Sequence, residues 1–141
     1  MNWEVTLVVG VLFALAFVHR TGWNPGGLVT PGYLVLYLSD GSAAAWIAAL
    51  ALTTWLTALL ARRWLPLHGR RRWTFCVATA AALRALVELL SPVAGFVDPL
   101  GLVVPGLIAS ALTEQGPGPT FTALITVTAA TWWALIALGL T

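Results

Sequence analysis

Two uncharged runs constrain this chain more than any other feature: residues 43–61, AAAWIAALALTTWLTALLA, and 119–141, PTFTALITVTAATWWALIALGLT. Each supplies the roughly 20 apolar residues that a helix needs to cross a hydrocarbon core about 30 Å thick. A composition 60% hydrophobic and only 9% charged lies far from the soluble globular range. The expected fold class is therefore an all-α integral membrane protein, with one membrane domain over residues 1–141. A shorter apolar segment, residues 5–18, contains an Ala-Leu-Ala string like a signal-peptide cleavage site. No Lys or Arg precedes it, so a retained helix is expected. A fourth apolar helix is expected over residues 73–90, carrying two charges.

The chain also repeats itself. GLVTPGYL at residues 27–34 recurs as GLVVPGLI at residues 101–108, 74 residues later (101 − 27 = 74), with five of eight positions identical. The same offset lays residues 5–18 on 79–92 and residues 43–61 on 117–135. This register predicts a duplication, with repeat one at about residues 1–61, a basic loop at 62–73 and repeat two at about 74–141. Each half reads helix, Pro-Gly-broken segment, helix. Segments 23–39 and 92–112 are either broken spans or re-entrant loops. Broken spans make three crossings per half and two halves of inverted topology; re-entrant loops leave four spans and parallel halves. Arg and Lys prefer cytoplasmic loops. The inverted arrangement puts Arg20, Arg62, Arg63, Arg70, Arg71 and Arg72 inside and Glu4, Asp40 and Asp98 outside, whereas four spans put Arg20 outside. The inverted arrangement is favoured, and the cluster at 62–72 is cytoplasmic in both.

Three constellations could carry function. Around Pro31, Gly32, Pro105 and Gly106 the backbone loses helical hydrogen bonds. In lipid such a break survives only inside protein or beside a water-filled cavity. Paired breaks of this kind mark binding or translocation sites in inverted-repeat transporters; they also serve close helix packing. Arg84 and Glu88 lie four residues apart on one helical face, about 16 Å from Trp73 along the axis and so near the bilayer centre. An intramembrane pair of this kind is either a structural lock or a site for an anionic ligand or water-accessible path. Arg62, Arg63, Arg70, Arg71 and Arg72, flanked by Trp64 and Trp73, read as a topology signal with attraction for anionic lipid, or as a docking surface for an acidic partner or polyanion. No nucleophile elbow, phosphate loop, zinc spacing or carboxylate dyad is present. His19 and His68 are isolated, and Cys76 reads as a packing residue. Neither catalytic residues nor a metal, cofactor or nucleic acid is expected for this chain.

Those same residues resemble the PgsC (CapC) family, the small membrane subunit of bacterial poly-γ-glutamate synthase. TGWNPGGLVTPGYL at 21–34 is similar to the family's TG, P-x-GLV and PGYL string; HGRRRW at 68–73 is similar to its Gly-Arg-Arg loop; GLVVPGLIAS followed by EQG, within 101–116, resembles its VPGLIA segment and QG turn. The mid-helix basic-x-x-x-acidic pattern falls on Arg84 and Glu88. His19-Arg20 and Thr113-Glu114 depart from the family pattern. The resemblance implies a multi-pass subunit of the bacterial plasma membrane. Its partners would be a Mur-ligase-like amide ligase, which brings ATP and a divalent metal, and a further membrane-anchored subunit, with several copies of this chain allowed. Anchoring of the ligase and extrusion of the polyanionic glutamate polymer follow as expectations. An inverted-repeat transporter of small solutes or ions, and a passive assembly scaffold, are the alternatives.

Overall fold

The computed structural model describes residues 2–38, 40–66, 69–90 and 99–140. Those residues form six helices: α1 Trp3–Thr21, α2 Thr30–Tyr37, α3 Gly41–Ala61, α4 Arg70–Leu90, α5 Pro99–Gln115 and α6 Pro117–Ala137. Among the described residues there is no strand. By length and composition α1, α3, α4 and α6 can each cross a membrane. Large apolar side chains such as Val8, Leu12, Leu56, Ile125 and Trp133 point outward and are exposed. In water such a surface would aggregate; against lipid it is the expected one. Asp98 and His68, and residues 92–98 of the second interrupted segment, lie outside the described residues.

The helix ends follow from their residues. Gly22, at φ 74°, closes α1, and its amide donates to the Val18 carbonyl at 2.8 Å; the left-handed cap suits a residue without Cβ. Asp40 caps α3, accepting from the Ser42 amide at 3.2 Å and from the Ser42 hydroxyl at 2.6 Å. Within the helices most of the threonine hydroxyls donate to a carbonyl one turn back, the buried Thr128 being an exception. Thr54 donates to Leu50 O at 2.7 Å and Thr131 to Val127 O at 2.8 Å. That pattern lets a polar side chain sit in an apolar medium without an unpaired group.

Small and apolar side chains form the interior. α1 buries Thr6, Gly10 and Ala14, while α4 buries Cys76, Ala80 and Arg84, each 70 residues later (76 − 6 = 70). α3 buries Ala43, Leu50, Ala51, Thr54 and Ala58; α6 buries Thr120, Val127, Thr128, Thr131 and Leu135, each 77 residues later (120 − 43 = 77). The flanking helices therefore match at offsets of 70 and 77, not at the 74 of the Pro-Gly segments.

Packing follows the same correspondence. α1 lies on α2 and α6, whereas α4 lies on α5 and α3; α2 packs on α6, and α5 packs on α3. Among the described residues the backbone of α1 makes no close approach to α4, nor that of α3 to α6. The first helix of each half thus rests against the last helix of the other half, and α2 and α5 meet in between. Tyr33 of α2, Ile47 and Ala51 of α3, and Val104, Ile108 and Leu112 of α5 make one core cluster. Ala58, Cys76 and Ala109 make a second, where α3, α4 and α5 converge.

Candidate functional site

The first Pro-Gly step does not break a helix. Pro31 is the second residue of α2, where its missing amide costs nothing. The interruption lies upstream, in residues 22–29, where Gly26 and Gly27 take φ of 81° and 102°. By the 74-residue offset Leu100 stands at the position of Gly26, and there the chain is already helical. Leucine, unlike glycine, disfavours the positive φ that the first half uses. Pro105 sits inside α5, which continues past it from Pro99 to Gln115. Over its described residues, from Pro99 on, the second segment is thus a Pro-bearing helix rather than a broken one.

Backbone groups freed by the interruption are recaptured. Asn24 Oδ1 accepts from the Gly27 amide at 2.8 Å, and the Thr30 hydroxyl donates to Gly26 O at 2.6 Å. Gln115 at the end of α5 closes the device: its Oε1 accepts from the Asn24 amide at 3.0 Å, and its Nε2 donates to Asn24 O and, at 3.1 Å, to Thr120 Oγ1. One amide side chain thus ties the two halves at the end where α1 and α5 both terminate.

From there residues 22–37 run back alongside α1. A Cβ on Gly32 would lie 3.1 Å from Leu7 Cα, and one on Gly10 only 2.5 Å from Gly32 Cα. In the second half a Cβ on Gly106 would lie 2.7 Å from Val77 Cα of α4. Pro31, Gly32, Pro105 and Gly106 are all buried. The two Pro-Gly steps therefore back onto different helices, α1 and α4. What meets across the middle is the Gly26-Gly27 stretch against Leu107 and Ile108.

Arg84 is 9% exposed. Its Nε donates to Glu88 Oε1 at 3.2 Å, and its Nη2 lies 3.2 Å from the same oxygen but makes no aligned hydrogen bond. α4 begins at Arg70, so Arg84 is fourteen residues along it, about 21 Å. That is two-thirds of the helix, nearer the far end than a count from Trp73 indicates. Glu88, one turn on, is exposed. Val77, which backs Gly106, is two turns before Arg84 on the same helix.

Most of the arginines gather at the opposite end. Arg62, Arg63, Arg70 and Arg71 are exposed, as are Trp64 and Leu65 between them. Arg72 turns away from this group, and its Nη2 lies 3.1 Å from Glu114 Oε2. That pair fixes the start of α4 beside the end of α5, so the two helices run antiparallel. It also leaves four arginines, not five, facing outward. Asn24, Gln115, Glu114 and Gly10 were not singled out as site residues from the sequence. Asn24 and Gln115 stand in conspicuous strings, but a lone amide carries no chemical signal, and Gly10 shows its use only once Gly32 is opposite.

The family model for capsule biosynthesis CapC matches residues 9–121, a stretch that holds both Pro-Gly steps, the arginine loop and the Arg84–Glu88 pair. The chain belongs to the CapC family. It is 32% identical over 133 residues to the PGA biosynthesis protein CapC of Bacillus subtilis (strain 168), covering 91% of this chain and 89% of that one. It is equally similar, over the same shares, to the capsule biosynthesis protein CapC of Bacillus anthracis. No solved structure matches it.

Proposed function

We propose that this chain is the membrane-embedded subunit of a poly-γ-glutamate synthase complex. In this reading it anchors a Mur-ligase-like, ATP-using amide ligase at its cytoplasmic face and stands on the exit route of the polymer. The observation that carries the proposal is the family match across residues 9–121, together with two relatives named for PGA and capsule biosynthesis. Amide-bond formation, with its ATP and divalent metal, belongs to the ligase. A further membrane-anchored subunit completes the assembly, which sits in the bacterial plasma membrane.

Three features support the finer parts. The exposed group Arg62, Arg63, Arg70 and Arg71 lies on one short connection, where cations gain most from an acidic protein surface or a polycarboxylate. Arg20 and this group lie at the ends of α1 and α3 and the start of α4, and the positive-inside rule makes that end cytoplasmic. The return of residues 22–37 along α1, and the packing correspondence of the two halves, support six membrane segments in two inverted repeats. Arg84 and Glu88 are assigned to the polymer route because a buried guanidinium with one unaligned nitrogen can accept a carboxylate. The Pro-Gly steps bring the helices around that route into close contact.

Affinity purification of the ligase with the Arg62→Ala, Arg63→Ala, Arg70→Ala, Arg71→Ala variant tests the docking assignment. Recovery of the ligase is expected to fall severalfold, with the variant still inserted in the membrane. Undiminished recovery removes the docking role.

A further inference from the structure

Between α1 and α6 runs a groove of about 440 Å³, walled by Phe13, Phe17, Val127 and Ala130 and bounded at one end by Arg20 and Thr21. Its walls are hydrocarbon and its rim holds a cation. Arg20 occupies the last turn of α1, a helix able to span the membrane, so the rim lies where hydrocarbon gives way to headgroups. From Phe13 to Arg20 is seven residues, about 10 Å along the axis. That distance matches the step from the upper part of an acyl chain to its phosphate.

The rim leaves Arg20 as the group available to a ligand. Thr21 donates its hydroxyl to Phe17 O at 2.7 Å, and Thr126, also on the groove, donates to Thr122 O at 2.7 Å. The ion pairs among the described residues are Arg72–Glu114 and Arg84–Glu88; neither involves Arg20. At the matching place on α4, 70 residues on, stand Leu83, Val87 and Leu90 in place of Phe13, Phe17 and Arg20. The cation is thus a feature of one of the two corresponding seams.

We propose that the α1–α6 groove binds one anionic glycerophospholipid, its acyl chain on Phe13 and Phe17 and its phosphate on Arg20. A hydrated polycarboxylate has nothing to gain from hydrocarbon walls, whereas a lipid satisfies both wall and rim. The seam joins the first helix of one half to the last helix of the other, so an occupied groove braces the two halves. Lipid binding here does not depend on the role in polymer synthesis proposed above.

Native mass spectrometry of the full chain, released from mild detergent with phosphatidylglycerol or phosphatidylcholine of matched acyl chains, tests it. One phosphatidylglycerol should be retained about fivefold better than phosphatidylcholine, the size expected for one interfacial arginine. Arg20→Gln should abolish the preference, and Ala130→Leu, which fills the groove, should reduce retention of both lipids; Ala16→Leu fills the same groove from α1 if Ala130→Leu does not fold. Three results would each overturn the proposal: an unchanged preference in Arg20→Gln, unchanged retention in the filled-groove variant, or displacement of the lipid by soluble glycerol phosphate or poly-γ-glutamate.

Discussion

At Gly106 the whole separation of α4 and α5 rests on a missing methyl group. A Cβ there would stand 2.7 Å from Val77 Cα, closer than real Cβ atoms approach backbone. Since backbone cannot swing aside as a side chain can, Gly106→Ala is expected to cost about 1–3 kcal/mol by overpacking. Gly118, in the first turn of α6, has open space where a Cβ would stand, with nothing within 4 Å, and serves as control; Gly118→Ala should leave stability unchanged or slightly raised. Thermal unfolding of the two variants in the same detergent checks the pair. Arg84 belongs to the same scale. Arg84→Leu removes a buried cation while keeping an apolar volume, so folding and ligase recovery should persist and polymer output should fall. Normal output from that variant would leave Arg84 as a structural lock.

At the scale of elements, the ends of helices carry the polar contacts. Arg72 and Glu114 hold α4 to α5, but Glu114 is exposed, so the pair is worth no more than about 0.5–1 kcal/mol. Arg72→Glu and Glu114→Arg should each destabilise, and the double exchange should recover most of the loss; a double-mutant cycle in detergent measures the coupling. Asp40 caps α3, and its hydrogen bond from the Ser42 hydroxyl holds its carboxyl below the ordinary value of 3.8. A carboxyl lowered on folding contributes stability that is complete above that ordinary value and is lost as pH falls through the folded one. Asp40→Asn should therefore flatten the decline of the unfolding midpoint below about pH 4.

The elements also show how far the sequence could be read. Uncharged runs located α3 and α6 to within a few residues, because length against a bilayer is a one-dimensional property. The Pro-Gly steps were visible as matching strings, but what they do was not. Whether Pro31 begins a helix or breaks one depends on Gly26 and Gly27 upstream, and whether Gly32 or Gly106 lines a cavity or touches backbone depends on α1 and α4. The Arg84–Glu88 pair was legible from i, i+4 spacing alone. The division of Arg72 from its neighbours was not, since it is set by Glu114, forty-two residues away in sequence (114 − 72 = 42).

For the whole molecule, the order of the six helices and their crossed packing make a claim about sidedness. In two inverted repeats Thr21 and Arg63 share the cytoplasmic side and Asp40 faces the other. In a four-span arrangement Thr21 and Asp40 share a side. Single cysteines at Thr21, Asp40 and Arg63, in a Cys76→Ala background, should react with an impermeant thiol reagent in intact cells only at position 40. As a proposed member of the synthase complex, this chain should be required for poly-γ-glutamate synthesis. The most direct test is the amount of polymer made by a producing cell that has lost this chain but keeps the ligase. Polymer should disappear from that cell and return with the wild-type chain; undiminished polymer in its absence would contradict the claim.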